Sequence, residues 1–222
     1  MLDLKSFVVI GCGRFGSSVA RTLHDLGNEV MVIDISEDVI REISEEATYA
    51  VQADAMDEAV LKDLGLRNFD VAVISIGSDI EASIMATLVV KELGIKRVIA
   101  KAQSELHRKV LDKIGADKVI FPERDMGVRV AHNLTSTNIL DFIELSPDYS
   151  IIEITALEEW EDKTLGQLKL STKYGLNVMA IKRGNKITVS PSGEIMIEKD
   201  DVLVVIGSMT DIKKVEKKAG DQ

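Results

Sequence analysis

The chain is poor in cysteine, proline and aromatic residues. Its 222 residues include one cysteine, three prolines, one tryptophan, three tyrosines and five phenylalanines. The single cysteine, Cys12, excludes a disulfide within the chain and is typical of a reducing compartment. Because aromatic rings are so few, the hydrophobic core has to be built from aliphatic side chains.

The sequence also lacks long hydrophobic runs and an excess of positive charge. Its apolar stretches are of strand length, far below the ~20 residues that a membrane-spanning helix needs. The formal net charge of −10 argues against nucleic acid as a partner, because the field of the whole chain repels phosphate backbones. No signal-peptide pattern precedes the first apolar run, so we expect a cytoplasmic location.

That first apolar run, Phe-Val-Val-Ile, leads into a glycine-rich turn, Gly-Cys-Gly-Arg-Phe-Gly at 11–16, and then into a helical pattern. In this context Gly11 permits the tight bend, Gly13 lets the backbone approach a pyrophosphate, and Gly16 lets the helix pack closely. The next strand ends in Asp34, whose carboxylate is placed to accept hydrogen bonds from a ribose diol. A structural glycine turn without a ligand is the alternative.

Apolar strands and amphipathic helices alternate through the first half of the chain. The periodicity predicts strands at 7–10, 30–33, 48–52, 71–75, 98–101 and 118–120, and helices near 16–26, 37–45, 57–64, 80–93, 105–114 and 125–136. This alternation predicts an α/β fold, a Rossmann-like doubly wound parallel sheet with helices on both faces. A ligand is then expected beyond the carboxyl ends of the strands, at the switch point.

After residue 122 the rhythm changes. A broken helix and an extended piece follow, and that piece fits either the chain's own sheet or a partner's. From residue 150 the pattern is that of a small α+β domain, with the hairpin turn Arg183-Gly184-Asn185 between two strands. We therefore predict three parts: a Rossmann nucleotide-binding domain at 1–123, a crossover and dimerisation segment at 124–145, and a C-terminal domain at 146–222.

Loops after the other strands of the first domain are expected to line the same cleft. Loop residues or helix caps without ligand contact are the alternative, and Ser78-Asp79 in particular fits a cap. The candidate cofactor-binding residues are Gly11, Gly13, Arg14, Phe15, Gly16, Asp34, Ile35, Ser36, Asp54, Ala55, Ser75, Ile76, Gly77, Ser78, Lys101, Ala102, Gln103, His107 and Glu123.

Among the charged and titratable candidates, Arg14, Glu123 and His107 each have two specific interpretations. The Arg14 guanidinium offers fork-like donors to a further phosphate, or it pairs with a surface carboxylate. Glu123 next to phosphates requires a bridging cation such as Mg²⁺, or it is a first-turn carboxylate of a helix. His107 begins a helix and either touches a phosphate or is a plain helix residue.

Residues typical of catalysis do not accompany the cleft. The sequence has no Ser-His-Asp set, Cys/His metal cluster or Walker lysine loop, and His24, His107 and His132 all fall in helical patterns. The sequence therefore favours binding over catalysis. An NAD-dependent oxidoreductase or an NAD(H)-sensing regulator is the alternative, because ATP, ADP and NAD(H) share an adenosine diphosphate end. The acidic charge disfavours a transcription factor.

Several motifs together resemble the RCK (KTN) family, in particular its cytosolic regulatory subunits of bacterial potassium transporters. The resemblance covers nearly the whole chain. The motifs are the turn at 11–16, Lys-Ala-Gln at 101–103, Lys-Ile-Gly-Ala-Asp at 113–117, Pro-Glu-Arg-Asp-Met-Gly at 122–127, Lys-Tyr-Gly at 173–175 and Val-Leu-Val-Val-Ile-Gly at 202–207.

The resemblance implies a homodimer that assembles into an octameric ring beneath an integral-membrane potassium-translocating subunit. ATP or ADP in the cleft would set the shape of the ring and so gate transport. Arg14 would contact the terminal phosphates and Asp34 the ribose. Glu123 would hold a cation with ATP at the dimer interface. The protein would thus lie peripherally at the inner face of the plasma membrane.

The resemblance also implies a second ligand site. Some family members bind cyclic di-AMP between paired C-terminal domains, and Asn177 and Pro191 match positions that line that pocket. Such members often carry an arginine before the Lys-Tyr-Gly turn. This chain has Ser171 there, which removes a phosphate contact and weakens the expectation of cyclic di-AMP.

Overall fold

The computed structural model describes residues 4–135, 139–146 and 148–220 and divides into two compact units, Met1–Pro122 and Glu123–Gln222. The elements of the first unit are β1 (Ser6–Ile10), α1 (Arg14–Asp25), β2 (Glu29–Asp34), α2 (Glu37–Ile43), β3 (Tyr49–Gln52), α3 (Glu58–Asp63), β4 (Val71–Ile74), α4 (Ile80–Glu92), β5 (Arg97–Lys101), α5 (Glu105–Lys113) and β6 (Lys118–Ile120).

The second unit is built around five further strands. Its elements are α6 (Pro122–Thr135), which begins at the boundary, then β7 (Ile139–Ser146), β8 (Tyr149–Thr155), α7 (Leu165–Leu168), α8 (Leu170–Tyr174), β9 (Asn177–Arg183), β10 (Lys186–Val189), β11 (Val202–Ser208) and α9 (Met209–Gly220). Within the described ranges, no helix is long and apolar enough to cross a membrane.

The six strands of the first unit form one parallel sheet in the order β3-β2-β1-β4-β5-β6. The order reverses between β1 and β4, which defines the switch point of a doubly wound sheet. The predicted Rossmann-like α/β fold is confirmed. All the candidate loops that follow β1 to β5 therefore meet at one edge of this sheet.

Both faces of the parallel sheet are covered, because successive side chains of a strand point to opposite faces. Val8 and Ile10 pack with Leu61 of α3, Val90 of α4 and Leu111 of α5. The alternate residue of β1, Val9, belongs instead to the cluster that holds Ala20 of α1 and Ile43 of α2. The core is aliphatic, as the composition requires.

The sheet of the second unit is antiparallel and has the order β10-β9-β11-β8-β7. One face packs on a core that includes Trp160, Leu170 and Ile212. The extended piece, which the sequence assigned either to the chain's own sheet or to a partner's, is β7. It pairs with β8 of its own chain. This pairing runs to Ser146, so the predicted boundary between 145 and 146 falls inside a strand. The three-part division as a whole stays a prediction.

Candidate functional site

The glycine turn between β1 and α1 is as tight as its spacing predicts. Gly11 has φ +87°, and a Cβ built on it would lie 2.9 Å from the backbone nitrogen of Ile76. A Cβ on Gly16 would lie 2.0 Å from the Gly11 carbonyl oxygen. A Cβ on Gly13 would meet nothing within 4 Å. The outer two glycines are thus required by packing, whereas Gly13 borders open space.

The N-terminus of α1 differs from those of the four helices that follow it. Ser36, Asp57, Asp79 and Ser104 each cap their helix, accepting a hydrogen bond from a backbone N–H with a side-chain oxygen. The N-cap residue of α1 is Gly13, which makes no side-chain cap, and the first turn carries no acidic residue. Its N–H groups and the positive end of its dipole are therefore available to an anion.

Asp34 ends β2 beside this turn. Its Oδ2 accepts a hydrogen bond from the Cys12 N–H at 2.7 Å, and its Oδ1 accepts one from the Ser36 N–H at 2.9 Å. A carboxylate has about four lone-pair positions, so both oxygens can still accept from a ligand. The side chain is fixed next to the turn and half-buried. This placement suits recognition of a ribose diol.

Cys12 fills the turn and is not a reactive thiol. Its side chain is 3% exposed. Burial, together with the charge of Asp34, raises the pKa of the thiol to about 12. The group is therefore protonated at neutral pH, and only the thiolate is a good nucleophile.

The loops after β4 and β5 are connected to each other. The Gln103 amide donates to the carbonyl oxygen of Gly77, and a Cβ on Gly77 would lie 3.2 Å from Lys101 Nζ. Gly77, Ser78 and Gln103 are exposed at the edge of the sheet, and Ile76 and Lys101 are half-buried. Asp79 is the cap residue of the Ser78-Asp79 pair.

Other candidates lie beneath the surface of the cleft. Ser75, Ala55, Ala102 and His107 are 6%, 8%, 2% and 2% exposed. His107 Nδ1 accepts a hydrogen bond from the Gln103 N–H at 3.4 Å, and burial lowers the pKa of its imidazole. This placement favours a plain helix residue that supports Gln103. Contact of these four side chains with a ligand stays a prediction.

The remaining candidates of the first unit border the cleft. Arg14, at the first position of α1, is exposed, and Phe15 is half-buried. Ile35 is 68% exposed directly after Asp34. Asp54 is exposed after β3, where its Oδ1 accepts a hydrogen bond from the Met56 N–H at 2.9 Å.

One cleft residue was missed by the sequence reasoning. Gln52 ends β3, and its side-chain amide donates to the Ile35 carbonyl oxygen at 3.1 Å. The contact steadies the backbone just beyond Asp34. Its position at the carboxyl end of a parallel strand is the signal that would have identified it.

Two candidates for a second ligand come together in the other unit. Asn177 and Pro191 line a cavity of about 490 Å³, and Ser171 lies on its wall. The same cavity is lined by Lys169, a cation that the sequence reasoning did not consider.

Glu123 belongs to this second unit and lies in the first turn of α6. Among the described residues, no group of three or more His, Cys, Asp or Glu side chains is placed to hold a metal ion. A cation at Glu123 would thus need ligands from elsewhere, such as phosphate oxygens. Its role at the phosphates stays a prediction.

Fold and site define a class of protein. It has a Rossmann unit whose cleft places an uncapped helix N-terminus beside an aspartate, followed by a small unit with an antiparallel sheet. The family models agree with this class, since a TrkA-N domain matches residues 7–122 and a TrkA-C domain matches 149–220. The chain belongs to this family, that of the RCK subunits of potassium uptake systems.

Two relatives that match nearly the whole chain are potassium uptake proteins. The chain is 50% identical over 214 residues to the Ktr system potassium uptake protein C of Bacillus subtilis (strain 168), covering 96% of this chain and 97% of that protein. It is 44% identical over 212 residues to protein A of the Ktr system from the same organism, covering 96% of each. The resemblance to the RCK family is therefore confirmed.

Among solved structures, the GsuK channel bound to NAD has the same fold. The likeness has a TM-score of 0.52 at 21% identity, and it covers 98% of this chain but only 38% of the channel. It supports the architecture of both units.

Proposed function

We propose that this chain is the regulatory subunit of a bacterial potassium transporter and that ATP or ADP in the cleft of its first unit controls potassium flux. The observation that carries the proposal is the bare N-terminus of α1 beside Asp34, since it offers a phosphate site and a ribose acceptor within one turn. The likeness to the Ktr potassium uptake proteins supports the transport role.

Each cleft residue then has a defined task. The N–H groups of α1 and the open side of Gly13 hold the phosphates, and Asp34 holds the ribose. The exposed guanidinium of Arg14 reaches a terminal phosphate, where its planar set of donors fits the oxygens. Exposed Ile35 gives the adenine an apolar surface.

We propose that the cleft binds and does not catalyse. His107 is buried, and its pKa is lowered by that burial, so it is poorly placed to exchange protons with a ligand. Helix α5 therefore does not present a histidine that could act as a proton donor in catalysis. A ligand acts by binding two shapes of the assembly with different affinity, because only a difference in affinity moves such an equilibrium.

We propose that α6 mediates the homodimer. Met126, Val130 and Leu134 recur every four residues, so they form one stripe on the helix, and they are 54%, 47% and 81% exposed. A Cβ on Gly127 would meet nothing within 4 Å, which leaves room for close approach of a second helix. A second copy of the chain is the occupant we propose, and dimers would build the octameric ring.

With ATP bound, we propose that Glu123 takes part in holding Mg²⁺ or another cation. A single carboxylate suits this role, since Mg²⁺ commonly combines one or two carboxylates with phosphate oxygens. The ring would lie at the inner face of the membrane, held there by the integral-membrane subunit.

NAD(H) is the second candidate ligand. Asp34 would recognise its adenosine ribose in the same way, and a channel of the same fold is described as bound to NAD. Cyclic di-AMP is a weaker candidate for the cavity at Asn177 and Pro191, because Ser171 offers no guanidinium there.

Calorimetric titration of the full chain with ATP, ADP, NAD⁺ and NADH tests the proposal. We expect tighter binding of ATP and ADP than of either dinucleotide, and an Asp34→Asn variant should weaken both by about tenfold, since a charge-assisted hydrogen bond is lost. Asp63→Asn, which changes an exposed carboxylate of α3, is the matched control. No affinity for any adenine nucleotide would refute the proposal.

A further inference from the structure

A cavity of about 420 Å³ lies beside α7 and α8 in the second unit. Its wall is rich in hydrogen-bond donors and carries a single acid. The polar lining residues are Lys163, Lys169, Lys173, Gln167, Thr172 and Glu159. We call it the lysine cavity.

The wall of the lysine cavity is held by interlocking contacts. The Glu159 carboxylate accepts a hydrogen bond from the Tyr174 hydroxyl at 2.7 Å, and the Tyr174 ring lies 5.8 Å from that of buried Trp160. Lys173 Nζ lies 4.9 Å from the centroid of the Tyr174 ring. Lys163 Nζ donates to the backbone carbonyl of Glu159 at 2.6 Å. Two of the ammonium groups are thus positioned by the fold.

The third lysine occupies a costly backbone conformation. Lys169 joins α7 to α8 with φ +48° and ψ +45°, in the left-handed region that glycine adopts without strain. Non-glycine residues in this region cluster at functional sites. Glycine would suit this backbone better, so a lysine here is consistent with a use for its side chain.

We propose that the lysine cavity binds a small phosphate-bearing anion. Three lysines and one glutamate line the cavity, so its lining is positively charged in a chain whose net charge is −10. Ammonium groups are common phosphate ligands, and Thr172 and Gln167 add neutral donors. Its volume lies in the ~300–1,000 Å³ range of small-molecule pockets. Asn177 and Pro191 line a different cavity, although Lys169 contacts both.

The experiment uses inorganic pyrophosphate as the probe and the full chain as the receptor. Hydrogen exchange followed as pyrophosphate is titrated gives both the location and the affinity, which separates this cavity from the phosphate site proposed at α1. We expect pyrophosphate to slow exchange across residues 163–173. Lys163→Gln with Lys173→Gln should weaken this binding by at least about tenfold, because two charge-assisted contacts are lost.

The control pair is Lys186→Gln with Lys199→Gln, which removes the same charge from exposed positions outside the cavity. We expect it to leave the protection at 163–173 unchanged. Equal weakening by both pairs would reveal a general charge effect and overturn the proposal, as would pyrophosphate binding without protection at 163–173.

Lys169→Gly gives an independent test, because it suits the backbone of that position. We expect a higher thermal midpoint together with weaker pyrophosphate binding. A more stable variant that binds pyrophosphate as well as the parent would contradict a role for this side chain and so the proposed site.

Discussion

The two units of the chain build their candidate binding sites by different means. In the first unit the cleft is made largely of main chain: the turn at Gly11 and Gly16 and the uncapped start of α1. In the second unit the lysine cavity is lined by charged side chains, such as Lys169, and ion pairs secure the loops, such as that of Arg183 with Asp201.

The two candidate sites are therefore sensitive to different substitutions. A main-chain site is damaged by added atoms, since a methyl group displaces the backbone that binds. A side-chain site is damaged by lost charge, since the backbone stays while the donor disappears. We rank the variants that test this contrast by the size of the change we expect in each.

The largest effect should come from one methyl group in the turn. Gly16→Ala would place its Cβ 2.0 Å from the Gly11 carbonyl oxygen, so the turn must shift. We expect the free energy of unfolding to fall by about 3 kcal/mol and nucleotide binding to be lost. Urea unfolding and calorimetry measure the two effects.

Gly13→Ala is the matched control for this variant. Its Cβ would meet nothing within 4 Å, so the unfolding free energy should stay within about 0.5 kcal/mol of the parent. Nucleotide affinity should still fall, because the methyl group stands where phosphates approach. If both variants unfold alike, packing does not distinguish the two glycines.

The second effect concerns the ion pair that closes the β9–β11 region. Arg183 Nε donates to Asp201 Oδ1 at 2.7 Å, and Asp201 Oδ2 also accepts from the Glu198 N–H at 2.9 Å. The Asp201 side chain is fully buried, while Arg183 is 41% exposed. We expect Asp201→Ala to lower the unfolding free energy by about 2 kcal/mol, below the usual cost of breaking a buried pair because Arg183 regains water. Glu194→Ala, at an exposed position, should change it by about 0.5 kcal/mol or less.

The same carboxylate should give the second unit an acid-sensitive stability. Burial by itself would raise the pKa of Asp201, but the hydrogen bonds from Arg183 and Glu198 outweigh it and hold the pKa below its ordinary value. Its contribution is complete above the unfolded-state pKa of about 3.9 and is lost as pH falls through the lower folded-state value. Unfolding curves below pH 5 should therefore fall less steeply for Asp201→Asn than for the parent. Parallel curves would show that Asp201 does not titrate with folding.

The smallest change we expect is in the reactivity of the Cys12 thiol, which should be very low in the native chain. With its thiol buried and its pKa raised to about 12, labelling by a disulfide reagent at neutral pH should require unfolding. Native and urea-unfolded samples compared by absorbance check this. Rapid labelling of the native chain would mean that the turn opens readily.

Local sequence patterns predict most of the fold of the first unit. The positions of β1 to β6 follow from apolar runs and glycines. The rule that ligand sites lie at the carboxyl ends of parallel strands correctly predicts Asp34 beside the turn. The rule did not reveal that His107 is buried, because depth depends on packing between α5 and the sheet. It also says nothing about which polar atom of Asp34 holds the Cys12 N–H.

The second unit was harder to read because its features depend on distant partners. The pairing of β7 with β8 has no local signature, and neither does the Arg129–Asp141 ion pair, which links α6 to β7 with a 2.7 Å contact from Nε to Oδ1. The left-handed Lys169 was also invisible, since lysine is the wrong residue for that conformation by propensity alone. Sequence patterns predict helices and strands, whereas contacts between residues far apart in the chain are seen only in the folded structure.

The two backbone hydrogen bonds to Asp34 have a consequence for selectivity. They fix the carboxylate in one position, so under the proposed function every adenosine ligand would meet the same acceptor and gain the same binding free energy from it. An equal gain cancels when two such ligands compete. Under the proposed function, selectivity between a diphosphate and a triphosphate would then arise around α1 and Arg14, and the contact with the ribose would be common to both.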